Sequence, residues 1–390
     1  MLRHYEVNLP GPSHVKLGTP CQDSCAVAEC DGVVIAAVAD GLGSESHSDV
    51  GSKVAANAAV AYCEQNLASC ARLDDAASLL RAAYHAAYEA VLDEAARAGL
   101  AVGQMDCTLC LALFDGRAVA YGQSGDSGLV VARDDGSYEV VTRMQRDQEG
   151  RVFPLCFDDR WEFGCREGVA TVMLCTDGVL EDLIAPPILA RHAGDPIDAR
   201  LARGFLHPDL QTSGSLEKLR TDAERYLDEY PAELLDDDKT AVVIFDDERP
   251  PGEMPAPYYE GPDWDAVCAK AHALVRKVAA SPPPTDGAPQ KDRKTGPAPC
   301  DSTPARVADD TGAAVPRKPA TPPHPQAPPE TDADALMTAA EDALCQLGKG
   351  AIAVAAVVAE GTAVAAEKIN ERRRETTRGR GAKPKRRKKA

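Results

Sequence analysis

The stretch Val33-Val34-Ile35-Ala36-Ala37-Val38-Ala39-Asp40-Gly41-Leu42-Gly43 decides the architecture. Its first seven residues are apolar without interruption, and the run stops abruptly at an acidic, glycine-rich corner. A short continuous apolar run ended by turn residues is the pattern of a buried strand. The same pattern returns at 170–175, which ends in Thr176-Asp177-Gly178. It returns once more at 240–245, which follows Asp236-Asp237-Asp238-Lys239.

Between these runs the periodicity changes. Residues 48–67 and 74–98 are expected to be helices, the second with Leu79, Ala83, Ala86, Ala87, Ala90 and Val91 on one face and with Asp74 or Asp75 as its cap. Residues 107–114 and 117–123 flank Asp115-Gly116 as a hairpin, and 128–133 and 137–142 flank Asp134-Asp135-Gly136 as another. Two long helices among buried strands and hairpins point to an α+β fold with sheets covered by helices, not to the strict alternation of a parallel sheet.

The 390 residues carry a formal net charge of −18, which opposes a whole-chain nucleic-acid binder. Residues 371–390 depart from this, with eleven Arg and Lys against two Glu. The expected organisation is a globular zone over 1–248, a Pro- and Ala-rich disordered linker over 249–330, an Ala-rich helical segment over 331–372 and a basic tail over 373–390. Within the linker, 258–280 is a candidate helix docking on the globular zone. Residues 350–366 are apolar apart from Glu360 and Thr362, too short and too rich in Ala to favour a membrane span of about 20 residues. A soluble or partner-binding helix is expected there, with membrane association through 350–390 the lesser alternative. The tail is a candidate contact for an acidic surface, lipid or nucleic acid, against a merely solubilising end. Thirteen cysteines without a paired framework, and no signal peptide, point to a reducing, cytoplasmic setting. Cys107 and Cys110 lie three apart in an expected strand, so they face opposite ways and do not share a metal.

Asp40 and Asp177 each end a buried run and precede glycine, Asp126 follows another strand in Gly125-Asp126-Ser127, and Asp237 precedes the last. Carboxylates gathered at one sheet edge repel one another, and hard divalent cations with oxygen ligands relieve that repulsion. Two such ions about 3.5–4 Å apart suit phosphoryl chemistry. Taken singly, each Asp-Gly is more simply a turn, as Asp115-Gly116 and Asp135-Gly136 are expected to be.

The motifs resemble, in order, those of the protein phosphatase 2C family over about residues 8–246. Cys21-Gln22-Asp23-Ser24 resembles its N-[EQ]-D opening, and Val38-Ala39-Asp40-Gly41-Leu42-Gly43 its V-x-D-G-[MH]-G-G. Gly125-Asp126-Ser127 resembles G-D-S, Leu174-Cys175-Thr176-Asp177-Gly178-Val179 resembles L-x-S-D-G-[LV], and Asp237-Asp238-Lys239-Thr240-Ala241-Val242-Val243 resembles D-[DN]-x-T-x-[VI]-[VI]. The resemblance implies a four-layer sandwich, two antiparallel sheets flanked by helices, and a serine/threonine phosphatase of the bacterial type. It implies two divalent cations, Mg²⁺ or Mn²⁺, with Asp40 bridging both, the Gly41 carbonyl on one, and Asp177 and Asp237 completing the other. Asp126 would help hold a weaker third ion, Gln22 would reach a metal through water, and Asp23 would support the site. Water activated by the ions would attack phosphorus, with no side chain as nucleophile. Phosphorylated proteins are the implied substrates and a cognate kinase an implied partner. Gly18 stands where the family usually places a phosphate-binding Arg, which leaves Lys16 and His14 as candidates; Leu42 and Ser44 also depart from the pattern. The alternative reading is a weakly active or inactive phosphatase-like module that recognises partners through its C-terminal helix and tail. Residues 180–235 are either a flap beside the site or a packing helix pair.

Overall fold

The structure, a computed structural model, describes residues 1–270 apart from 71, 148, 149, 193–195 and 233. The expected remainder of the linker, the helical segment, the apolar stretch 350–366 and the basic tail lie outside the described residues.

Ten strands form two five-stranded antiparallel sheets. One has the order β1 (Leu2–Leu9), β10 (Lys239–Asp246), β9 (Val169–Cys175), β6 (Gly128–Arg133), β7 (Tyr138–Val140). The other runs β2 (Ser24–Cys30), β3 (Val33–Ala39), β4 (Leu109–Phe114), β5 (Ala118–Ser124), β8 (Glu162–Glu167). The apolar run Val33–Ala39 is β3, and its lack of alternation has a physical reason. Val34, Ala36 and Val38 point into the core between the sheets, while Ile35, Ala37 and Ala39 pack against the helical layer outside. Both faces are dry, so neither admits a polar residue. β10 is built the same way, with Val242 and Ile244 facing the other sheet and Ala241, Val243 and Phe245 facing outward.

The outer layer over the β3 sheet is α2 (Ser48–Asn66) and α3 (Ala77–Ala98). Ala55, Ala56, Ala59, Ala83 and Ala87 are fully buried, which lets these helices lie close to each other and to the sheet. The larger apolar area comes from Leu79, Leu80 and Tyr84, and Tyr84 donates its hydroxyl to the Leu109 carbonyl at 2.8 Å. Neither Asp74 nor Asp75 caps α3: both sit in a 3₁₀ turn, Leu73–Asp75, and the cap position is Ala76. Asp74 instead pairs with Arg72. Cys107 and Cys110 belong to cores on opposite sides of their sheet, as expected.

The fourth layer comes from the stretch 180–235. Helices Ala199–Leu206 and Leu216–Asp228 bury Leu201, Ala202, Phe205, Leu206 and Leu227 against the outer face of the β10 sheet. These two helices are packing elements, whereas Glu181, earlier in the same stretch, lies at the acidic end of the sandwich. Residues 264–270 are helical, and Trp264 and Val267 pack on Leu189, so the chain beyond 248 does dock on the domain. Among the described residues no helix is long and apolar enough to cross a membrane, and no disulfide joins the described cysteines.

Candidate metal centre

Asp40 follows the last residue of β3, and Asp177 begins the short turn after β9. Asp126 lies in the corner between β5 and β6, and Asp237 stands two residues before β10. Register brings these corners to one end of the sandwich: Gly128 and Ala241 both pair with Cys175, and Leu109 with Ser124. There the carboxylates of Asp40, Asp126 and Asp177 each offer an oxygen within 4.8 Å of the other two. Asp237 is not one of that trio. Its Oδ1 accepts the Asp238 backbone N–H at 2.8 Å, and its charge still acts on Asp40 and Asp177.

The backbone is pinned to hold this arrangement. Asp40 N–H donates to Thr108 Oγ1 at 2.9 Å, Thr108 N–H donates to the Asp40 carbonyl at 2.7 Å, and Thr108 Oγ1 lies 2.7 Å from Ser127 Oγ. One threonine thus ties the Asp40 corner to the Asp126 corner. The pairing around Gly41 uses the Asp40 carbonyl and the Leu42 N–H, which leaves the Gly41 carbonyl outside it. A side chain at Gly41 would meet the Ser48 carbonyl oxygen at 2.6 Å and that of Gln22 at 2.8 Å, so only glycine fits this close approach.

The supporting residues have definite partners. Asp23, 4% exposed, accepts the Thr176 hydroxyl at 2.6 Å, and Thr176 Oγ1 accepts the Thr240 N–H at 3.2 Å. Gln22 donates its side-chain amide to Ser48 Oγ at 2.8 Å. Asp238, unassigned in the sequence reading although it adjoins Asp237, is buried and accepts backbone N–H groups of Gly11 and Gln22, each at 2.6 Å. His14 Nδ1 lies 3.0 Å from Asp238 Oδ1, and Lys16 is exposed on the same short helix, α1 (Pro12–Leu17). Sequence reasoning also passed over Arg146 and Glu181. Arg146 contacts Asp126, Asp177 and Glu181, and it lies in an irregular segment that carries no periodic signal.

Burial and crowding disfavour ionisation here. Asp40 is raised well above the carboxylate range by burial and then by Asp23, Asp177, Asp126 and Asp237. Asp177 is pushed up to about 8 by burial and by Asp126 and Asp237. Burial also raises Asp126 and Asp237, and it brings Glu181 to about 7. Asp126 is fully buried, and its Oδ1 has no hydrogen-bond partner. A buried anionic oxygen without a donor, in an all-oxygen donor set, fits a hard divalent cation.

A pH dependence follows. In the unfolded chain these carboxyls ionise near pH ~4. Between there and about 8 the folded state binds more protons than the unfolded state, so stability falls as pH rises through that window. In chelator the melting temperature is expected to drop between about pH 5 and about pH 8. Saturating Mn²⁺ is expected to remove most of that drop, since the cation takes over the proton's role. A chelated melting temperature that climbs across this range would contradict the crowding.

Aspartates from both sheets of the sandwich meet at one end, an oxygen donor set suited to a hard divalent cation. The sequence matches the family described as Protein phosphatase 2C over residues 10–210, and the chain belongs to that family. It is a metal-dependent protein-serine/threonine phosphatase. Asp237 and β10 lie beyond the matched residues. No curated protein matches the chain in sequence. Among solved structures, the catalytic domain of the serine threonine protein phosphatase PstP in complex with 2 manganese ions is 21% identical. It covers 63% of this chain and 97% of its own, with a TM-score of 0.40. PppA of Pseudomonas aeruginosa is 20% identical, with 63% and 97% covered and a TM-score of 0.40. A bacterial serine phosphatase is 14% identical, with 65% and 100% covered and a TM-score of 0.42. Family membership rests on the match over residues 10–210 and not on these three.

Proposed function

We propose that this domain hydrolyses phosphoserine and phosphothreonine in cytoplasmic proteins at a centre of two divalent cations, Mg²⁺ or Mn²⁺. The carrying observation is the meeting of Asp40, Asp126 and Asp177, from three separate corners, together with a buried Asp126 oxygen that has no partner. Asp40, at the middle of the acidic set, would hold both ions, with the Gly41 carbonyl on one and Asp177 and Asp237 on the other. Asp126 would hold a weaker third. When bound, the ions supply Lewis-acid activation of water and a positive clamp on the phosphoryl oxygens. The protein's own part is positioning. Thr108 fixes Asp40 against the Asp126 corner, Thr176 orients Asp23, and Asp238 ties the Gly11 and Gln22 backbone to the start of β10. His14 and Lys16, near the position of Gly18, are the proposed grip on the substrate phosphate. Phosphoproteins are the substrates, with a kinase that writes the same marks as the natural counterpart, and the basic tail is a second contact for an acidic surface. The retained carboxylates oppose the reading as an inactive binding module.

The test is phosphate release from a panel of phosphothreonine and phosphoserine peptides by the full chain, with Mn²⁺, with Mg²⁺ and with chelator. Release in either metal and none in chelator is the expected result. A folded protein that releases no phosphate with any of the metals would overturn the reading in favour of a binding module.

A further inference from the structure

Arg146 lies in the segment after β7, outside every named strand and helix. Its Nη2 is 2.6 Å from Asp126 Oδ2, 3.3 Å from Asp177 Oδ2 and 2.9 Å from Glu181 Oε1, and its Nε donates to Asp126 Oδ2 at 2.8 Å. Two of the three clustered carboxylates are therefore already engaged by one guanidinium. Both Asp126 contacts fall on Oδ2 and leave Oδ1 open to a cation, so the rivalry is one of charge: two positive charges drawn to the same carboxylates repel each other. The two partners also differ in freedom. The Asp126 side chain is fully buried and cannot leave, whereas the Arg146 side chain is 33% exposed and can withdraw into solvent without opening the core.

We propose that Arg146 is a resident counter-cation that competes with divalent ions for Asp126 and Asp177, so that it sets how tightly the centre binds metal. This rests on the metal-centre reading above. Arg146 neutralises the crowded carboxylates when metal is scarce, and a divalent ion, with twice the charge at shorter range, takes them over by displacing it. The competition is sharpest at Asp126, where the guanidinium makes its closest contacts.

The experiment is calorimetric titration of Mn²⁺ into the metal-stripped full chain as wild type, R146M, R146K, R143M and D40N. Arg143 is exposed on the same segment and controls for loss of a positive charge outside the cluster. R146M is expected to bind Mn²⁺ about tenfold tighter or more, R146K to fall between it and wild type, and R143M to match wild type. D40N separates the two levels. If wild type binds no Mn²⁺, or D40N binds as well as wild type, the metal centre itself is refuted. If D40N binds weakly while R146M binds no tighter than wild type, the centre stands and the competition is overturned. Melting temperature supplies a second readout. In chelator R146M is expected to melt below wild type, because Asp126 has lost its partner. Its gain on adding Mn²⁺ is expected to exceed that of wild type, and an equal or smaller gain counts against competition. Should R146M not fold, R146K carries the same comparison.

Discussion

Asp40→Asn is expected to lower Mn²⁺-dependent hydrolysis of p-nitrophenyl phosphate by a factor on the order of 10³, about 4 kcal/mol of transition-state stabilisation. The amide keeps the shape of the side chain and removes its negative charge from the middle of the cluster. The fold has no reason to suffer, because the bonds that pin this corner, to Thr108 Oγ1 and from Thr108 N–H, are made by the Asp40 backbone. Stability in chelator should move the other way. The Asp40 carboxyl is held well above its ordinary range by burial and by four neighbouring aspartates, so its charged form is under strain at neutral pH. A neutral residue relieves that repulsion, and the chelated variant is expected to melt above wild type near pH ~8, where the wild-type carboxyls are most charged. Loss of activity combined with a gain in metal-free stability separates a ligand from a merely structural residue, whose removal lowers both. Turnover within about tenfold of wild type would mean that Asp40 does not bear on the ions.

The site and fold were legible in the sequence to different depths, for physical reasons. β3, β9 and β10 are covered on both faces, so their apolar runs are unbroken and stand out from single-sequence noise. β1, β2 and β8 were not read as strands. Each forms an edge of its sheet, and an edge strand wetted on one side carries a half-polar pattern. In β8, Glu162-Phe163-Gly164-Cys165-Arg166-Glu167, the outer residues are charged and the core contact is left to Phe163. At the site, Asp40 and Asp177 were visible because each ends a run that must stop at a sheet edge. Asp238 was within reach, one residue beyond a chosen aspartate and more deeply buried than its neighbours in the primary pattern suggested. Arg146 was out of reach. It sits on an irregular segment, and only the sandwich's closure sets that segment beside Asp126, twenty residues earlier. Charge attraction across such a gap leaves no trace in local periodicity.

Gly178→Ala tests the closeness of two of these corners directly. Gly178 follows Asp177, and a methyl group there would sit 2.2 Å from the Asp238 carbonyl oxygen and 3.2 Å from Asp237 Cβ. The obstacle is backbone, so no rotamer change relieves it. Gly178 lies in a helical turn without a positive φ, so alanine suits the local conformation and the penalty is purely one of contact. Either the 177–179 turn or the 237–238 segment must retreat, by about 1 Å, to restore an ordinary contact. Moving the second also pulls on Gly11 and Gln22, whose N–H groups Asp238 accepts. Overpacking of this kind costs about 1–3 kcal/mol, against a gain of at most ~1 kcal/mol from alanine's helix propensity. A misplacement near 1 Å at a reacting centre costs on the order of 10² in rate. The variant is therefore expected to melt lower, to bind Mn²⁺ more weakly and to lose about 10²-fold in kcat/KM. Gly204→Ala is the matched control: Gly204 lies within helix Ala199–Leu206 with nothing within 4 Å of the added methyl. There the same substitution should leave turnover unchanged and raise stability by up to ~1 kcal/mol. If the two variants behaved alike, Asp177 and Asp237 could not be held as close neighbours, and a metal centre spanning them would lose its geometric basis.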